Sequence, residues 1–507
     1  MGSGLVSADA ARSIGLERMW FTHLSLDRSR GRVAGVHLHV SSTDVRTVFE
    51  VSHGGNRYLF SQHDRNAFGE ELGVEGARQR AQERAAELQA EQQAAGKKDV
   101  SPPVVKTHVI PAMTLYATSE RGSVHAIDAE TGRTRWTTSV GNPNYPTTAP
   151  AANDKLVGVC NGSTLYILNA LDGSPVWSHV CAGAPGAGPA LSQELVFVPM
   201  FGGQVETLYL DNPRRTATIF KSFGRATVQP VVSFNSVAWP TDEGRLYVGL
   251  GHTPGMRYRV EAKDAIDAAP AFLRPDKLFA TSRDGYLYCI DERRGSVLWR
   301  FTTGEPISHS PVALGNQVYA ITEAGNMFAV DVATGSELWT ATGVRAFLAG
   351  NEKRIYLLTL RGNLLAMDAG SGSRLGEIPA PQIDLPFLNT KSDRVFLITR
   401  RGLVQCLRES DAVFPLLHYW EQAQETPKLK KGPVKKAGET ENATPEAAPP
   451  PATDPFSAPP GGSAPAGGAA PPAADPFGPA PAAPAAPGAA APGGAAPAAE
   501  ADPFAPK

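Results

Sequence analysis

Between Pro111 and Cys406 one pattern of about forty residues recurs eight times. Two clear copies read Gly122-Ser-Val-His-Ala-Ile-Asp128-Ala-Glu-Thr-Gly132-Arg-Thr-Arg-Trp136 and Gly325-Asn-Met-Phe-Ala-Val-Asp331-Val-Ala-Thr-Gly335-Ser-Glu-Leu-Trp339. Gly162 to Gly173 and Trp177, and Gly285 to Asp291, Gly295 and Trp299, repeat the pattern between them. Trp136 and Trp177 stand 41 residues apart, and Trp299 and Trp339 stand 40 apart. A strand-rich period of this length specifies a β-propeller, one four-stranded blade per repeat. The expected fold class is therefore all-β, an eight-bladed propeller over about residues 105–410. The fold alone fixes no function, because propellers carry enzymes and inert scaffolds alike.

One unit shows how the residues produce a blade. Ser310 to Leu314 is a short apolar strand, and Gln317-Val-Tyr-Ala-Ile-Thr322 alternates apolar and polar residues as a half-buried strand should. After a turn at Glu323-Ala-Gly325, Met327 to Val330 form a third strand. Asp331 to Gly335 turn the chain again into Glu337-Leu-Trp339. An Asp side chain can hydrogen-bond the amides of such a turn, and Gly accepts the left-handed backbone that the turn needs. The same turn recurs at Asp128, Asn169, Asp291 and Asp368. Prolines 150, 189, 230, 270 and 311 keep the same period and open the short strands. That suits an innermost strand, since Pro donates no ladder hydrogen bond. Repeats three and four have lost the Trp, with Phe220 and Tyr258 near its place. Repeat seven has Gly376 there. The eighth copy stops at Arg408 without a fourth strand, so the ring must be closed by Met19–Phe60 or by Ala412–Tyr419.

His125-Ala-Ile-Asp128…Thr131-Gly132…Trp136 and Ala329-Val-Asp331…Thr334-Gly335…Trp339 resemble the pyrroloquinoline-quinone-type propeller repeat. The resemblance covers roughly residues 108–408. It implies that the Trp docks between neighbouring blades. The family spans quinone-dependent alcohol dehydrogenases and the non-catalytic propeller of bacterial outer-membrane assembly. The whole layout, with its N-terminal preface and Asp-Pro-Phe tail, also resembles uncharacterised planctomycete propeller proteins. The resemblance further implies that a catalytic member carries adjacent cysteines, a Trp floor and a calcium site. Here no two of the four cysteines (Cys160, Cys181, Cys289, Cys406) are adjacent. Trp136, Trp177, Trp299 and Trp339 all hold the outer docking position. The expectation is no enzyme, no cofactor and no metal.

The flanks read differently from the repeat. Three domains are expected: a preface over 1–104, the propeller over 105–422 and a tail over 423–507. In the preface, Thr47 to Phe60 reads as a hairpin around His53-Gly-Gly-Asn56. Residues 73–93 read as a helix with a thin stripe of Val74, Ala77, Ala81, Ala85 and Leu88. This helix is expected on the propeller surface or against another helix. In the tail, Lys428-Leu-Lys-Lys431 and Lys435-Lys436 precede a Pro/Ala/Gly stretch in which seven acids face Lys507 alone. Such a composition cannot offset its ordering entropy and should be disordered. Three repeats stand out in it: Asp454-Pro-Phe456, Asp475-Pro-Phe477 and Asp502-Pro-Phe504. Three weak motifs on one flexible chain gain avidity for a protein partner.

A net charge of −2 argues against a nucleic-acid partner. No run of about 20 apolar residues offers a membrane span. The first twelve residues lack a basic start and an apolar leader, so a cytoplasmic location is expected, with the cell envelope if the start is misassigned. The cysteines should be small buried hydrophobes. A Cys160–Cys181 bridge stays open. His37 and His39 share one strand face without a third ligand, and Arg214-Arg215 and Arg400-Arg401 should face solvent. The expected function is a non-catalytic scaffold with a monomeric core, binding protein partners through propeller loops and tail motifs. A carbohydrate- or peptide-binding channel is the alternative.

Overall fold

The structure is a computed structural model and describes residues 4–27, 31–94, 102–380 and 383–418. Its strands form eight antiparallel sheets, seven of four strands and one of five. Each sheet is one blade. Blades 2 to 7 are continuous in sequence and span Ala151–Val180, Ala190–Lys221, Val231–Glu261, Ala271–Thr302, Val312–Thr342 and Val344–Pro379. We letter the strands of a blade a to d from the axis outward; a strands of neighbouring blades touch. Prolines 150, 189, 230, 270 and 311 each immediately precede an a strand. The apolar core is not one central body. Eight buried clusters lie one between each pair of successive blades. A blade buries both faces only when it has two neighbours, so the ring is stable only when closed.

The N-terminal segment closes it. Strand β1 (Leu16–His23) pairs antiparallel with Leu403–Glu409 and becomes the d strand of blade 8. Strand β2 (Val33–His53) supplies the a strand of blade 1 through its first half, where Val33–Val40 pair with Ser119–Met113 of β4 (Val104–Ser119). Of the two closing segments left open by the sequence, the N-terminal one serves. Residues 412–418 instead run beside the blade-8 ab loop, where Ser392 bridges Leu417 and Asp393 N–H donates to Leu416 O at 3.0 Å. The second halves of β2 and β4 continue past blade 1 as a ribbon. Strand β3 (Asn56–Ser61) pairs with this ribbon in the expected hairpin. Helix α2 follows α1 (Ala8–Ser13) in chain order and spans Gly73–Ala94. It packs Ala77, Ala81 and Leu88 on Phe49 and Val51 of β2, with Tyr58 and Phe60 beside them. Its thin stripe is therefore covered by the ribbon, not by the propeller or a second helix. Val74, also placed in that stripe, is exposed.

One interaction repeats around the ring. The indole of Trp136 donates to Ala170 O at 2.9 Å, that of Trp299 to Val332 O at 3.1 Å and that of Trp339 to Ala369 O at 2.9 Å. Each acceptor lies in the cd turn of the next blade. Trp177 reaches Leu210 O at 3.3 Å, and Tyr258 uses its hydroxyl on Glu292 O at 2.8 Å. At five junctions, that of Trp177 not among them, a glycine of the next turn lies flat under the ring. At Gly132, Gly173, Gly295, Gly335 and Gly372 φ is between 70° and 75°, and a Cβ would fall inside the aromatic ring. Both left-handed backbone and close approach thus demand Gly. In seven blades a bulge in the c–d pairing sits just before this position and turns the side chain toward its neighbour. Trp136 is buried, whereas Trp177, Trp299 and Trp339 keep one edge exposed and are half-buried. Each of Trp136, Trp299 and Trp339 also packs on an aromatic of its own b strand, with ring centres 5.8–5.9 Å apart.

The closing strand carries the same device. Trp20 donates to Ala129 O at 3.0 Å and lies over Gly132. Beside it the blade-8 side chain of Arg394, fully buried, forms a two-pronged pair with Glu130 at 3.0 and 3.2 Å. Its other donors meet the carbonyls of Ala412 and Val413 at 3.3 Å. Blade 7 solves the missing Trp in reverse. A Cβ on Gly376 would clash with Ile14, so Ile14 fills from blade 8 the space that a Trp fills elsewhere. In blade 3, Phe220 packs on the fully buried Trp239, which stacks on Tyr247 at 5.9 Å.

Two predictions follow from the closure. Trp20→Ala removes a docked, buried ring and should cost about 3–5 kcal/mol. A calorimetric melt should show it as a clear drop in Tm; an unchanged Tm would mean that the closing Trp is dispensable. Burial, partly opposed by Arg394, pushes the Asp393 carboxyl up to about 6. Its unfolded value is about 3.9, so the native state binds the proton more tightly. The stability this group contributes is full below pH ~4 and is lost as pH rises through about 6. Asp393→Asn should flatten that part of the Tm–pH curve, and an unaltered slope there would refute the assignment.

Candidate functional site

The repeat residues singled out by sequence stand on one face of the ring, where ab and cd turns lie. Asp331 Oδ1 accepts from the amides of Ala333 and Thr334 and from the Thr334 hydroxyl at 2.8–3.0 Å. Asp128 and Asp368 repeat this with Thr131 and Ser371, and Asp291 with the amides of Arg293 and Arg294. The Thr334 amide and hydroxyl hold the Asp331 carboxyl below its ordinary range, and the Ser371 hydroxyl and amide do so for Asp368. These carboxylates and the glycines beside them are occupied in shaping the turn on which the neighbouring Trp rests. The Asp-Pro-Phe residues Asp454, Phe456, Asp475, Phe477, Asp502 and Phe504 lie outside the described residues.

Other candidate chemistry is also engaged internally. His39 Nε2 pairs with Asp154 Oδ1 at 3.0 Å, and Asp154 also accepts from the Ser42 amide and hydroxyl. Burial, with His39 and Lys391 behind it, holds His37 down to about 3, so it is neutral at physiological pH. Thus the two histidines of the strand do different work: one ties the ribbon base to blade 2 and the other is an uncharged side chain. Among the described residues no group of three His, Cys, Asp or Glu side chains could hold a metal. All four cysteines are buried and free. Cys160 and Cys181 share one buried cluster between blades 2 and 3.

The opposite face carries the bc turns and the da links, and its turns are not covered by blade docking. Its charge is divided. Over blades 4 to 6 it presents Asp242, Glu243, Asp264, Asp267, Asp284, Glu305 and Glu323. Two of the arginines there are paired: Arg225 with Asp242 at 3.7 Å, and Arg283 with Asp267 and Glu323 at 3.5 and 3.1 Å. Over blades 7, 8 and 1 it presents Arg345, Arg361, Arg400, Arg401 and Arg32, all exposed. Backbone bonds tie these positions within blade 7 and between blades 8 and 1, and Asp384, which lines a pocket with Arg345 and Arg361, accepts the Arg400 amide. Leu360 N–H donates to Gly343 O, Val33 N–H to Arg400 O and Glu120 N–H to Arg32 O, at 2.8–2.9 Å. This exposed, unevenly charged face is the candidate functional surface. Arg400-Arg401 were legible in the sequence as solvent-facing. Arg32, Arg345 and Arg361 were not singled out, and no local pattern marks them, because only the ring brings them together.

Comparison with known proteins gives the family. A family profile described as outer membrane protein assembly factor BamB matches residues 89–247 and 236–395. The assembly factor BamB of Yersinia pestis is 23% identical over 269 residues, 46% of this chain and 66% of that protein. That of Escherichia coli K12 is 23% identical over 262 residues, 45% of this chain and 63% of its own length. The chain thus spans a little under two thirds of these relatives. The crystal structure of BamB from Moraxella catarrhalis superposes with a TM-score of 0.51 at 17% identity, covering 59% of this chain and 92% of that one, which is a likeness of fold. The names of these relatives overturn the expected cytoplasmic location and point to the cell envelope. Residues 1–12, on which that expectation rested, do not decide the compartment.

Proposed function

The chain belongs to the BamB family of outer membrane protein assembly factors, and from that membership we propose that it is a non-catalytic, protein-binding scaffold of the cell envelope. The observation that carries this reading is the division of labour between the two faces. One face spends its recurrent polar residues on holding blades together, while the other displays turns on a rigid ring at fixed spacing. Rigid display of many loops suits docking of a protein surface. We further propose that residues 423–507 act as a partner-binding arm through their three Asp-Pro-Phe motifs, C-terminal to a ring that takes in residues 16–23 and 33–40 of the expected 1–104 preface as well as the expected propeller segment. In this reading Phe456, Phe477 and Phe504 each fill a shallow apolar site on a partner, worth about 1.5–3 kcal/mol before ordering costs, so that three act together where one is weak.

Affinity capture from a cell-envelope extract tests both parts. The intact chain should retain specific proteins, and changing Phe456, Phe477 and Phe504 together to Ala should strip those that depend on the arm, each single change doing so only modestly. If the triple variant keeps every partner, the motifs are spacer composition. If the intact chain retains nothing above a denatured control, the scaffold reading fails. Reconstitution with pyrroloquinoline quinone and calcium should give no alcohol-dependent dye reduction; activity there would place the chain with the dehydrogenases instead.

A further inference from the structure

The arginine arc on the open face is poorly explained as a merely solvated surface. A folded chain with near-zero net charge has acids enough to pair its cations, and on the blade 4–6 side of this same face Arg225 and Arg283 are so paired. Among the described residues, Arg32, Arg345, Arg361, Arg400 and Arg401 have no acidic partner. Two exposed acids stand beside these arginines without pairing with them: Asp384, which accepts the Arg400 amide at 2.6 Å and lines the hollow next to Arg345 and Arg361, and Glu120, whose amide donates to Arg32 O. Between blades 7 and 8 the arc also has a hollow. Arg345 and Arg361 rim a pocket of 310 Å³, whose apolar part is Pro379, Ala380 and the buried Ile383. That is the small end of the range for ligand pockets, ~300–1,000 Å³, and suits one or two side chains better than a cofactor.

We propose that this arc is the docking site for an acidic polypeptide segment, with the blade 7–8 pocket taking one apolar side chain of that segment between Arg345 and Arg361. The inference deepens the scaffold reading and rests on it. Arginine is suited to the role, since its planar fork binds carboxylates in two-pronged fashion. The charge division selects the partner class. Seven acids over blades 4 to 6 lie on the same face, so a long polyanion or a flat anionic membrane crossing the ring would meet repulsion as well as attraction. A short acidic segment confined to blades 7, 8 and 1 meets five exposed arginines against three exposed acids, Asp27, Glu120 and Asp384. Opposite fields on one face also orient an approaching partner before contact.

The test is fluorescence anisotropy with a labelled poly-glutamate peptide and the full-length protein. Binding should be detectable at low salt and weaken as salt screens it. The double variants Arg345→Glu/Arg361→Glu and Arg400→Glu/Arg401→Glu should each weaken it about tenfold or more, two surface attractions having become repulsions. Arg293→Glu/Arg294→Glu, an equal charge change on the opposite face, should leave it unchanged. If a reversed variant melts early, Arg345→Gln/Arg361→Gln serves in its place. Lack of wild-type binding at low salt, equal loss in the Arg293/Arg294 control, or equal arc-dependent binding of duplex DNA or phosphatidylglycerol vesicles would each overturn the proposal. Protein capture from envelope extract that persists in both arc variants would overturn it too, and would leave the scaffold reading standing.

Discussion

Five of the eight junctions of this ring rest on an aromatic side chain of one blade lying on a glycine turn of the next, and the ring depends on that contact. The contact combines a buried apolar face, a hydrogen bond to a turn carbonyl and a steric requirement for Gly. Because the donor lies in one blade and the acceptor in its neighbour, no blade satisfies itself. The Asp at the start of each turn belongs to the same unit, since it fixes the loop that offers the carbonyl. Propellers can vary their outward turns freely so long as this inner grammar is kept, which separates what stabilises the ring from what it displays.

The weakest point of any ring is where its two ends meet, and here that junction is built most heavily. Trp20 repeats the aromatic contact, and the buried Arg394–Glu130 pair adds a second one. A buried pair of this kind is weak evidence for net stability, since desolvation consumes much of its attraction. Its geometry does specify register: Glu130 is in blade 1, Arg394 in blade 8, and the guanidinium fork is met only when the two blades sit at the observed offset. Ile14 in the space beside Gly376 sets the other side of blade 8. The last blade is thus held by side chains from the first twenty residues on both flanks.

Most of the architecture was legible because a forty-residue period, a Trp and a Pro ladder report the same unit independently. The closing Trp20 was missed because the turn that should precede it is split between the two ends of the chain. Gly15 stands in for the turn glycine, and Ser410 N–H donates to its carbonyl. A faint signal was available, since Gly15-Leu-Glu-Arg-Met-Trp20-Phe-Thr echoes Gly295-Ser-Val-Leu-Trp299-Arg-Phe-Thr with one residue more before the Trp and one fewer after it. The ribbon was half legible. Its hairpin and helix follow from local pattern, but the pairing of β2 with β4 spans the whole insertion. The charged arc was illegible for a similar reason: Arg32, Arg345 and Arg400 become neighbours only through closure.

The split of blade 8 has a consequence in time. Leu16 pairs with Glu409 and His23 with Leu403, so the strand made first is used last. Blades 2 to 7 consist of neighbouring hairpins that can form as they leave the ribosome. Strand β1 has no such partner. It must wait, with Leu16 and Trp20 uncovered, until the final hairpin of the chain has been synthesised. Pairings so distant along the chain are slow to form. While the chain is being made the circle of blades therefore stays open, and its first strand stays uncovered until Leu403–Glu409 exist to pair with it.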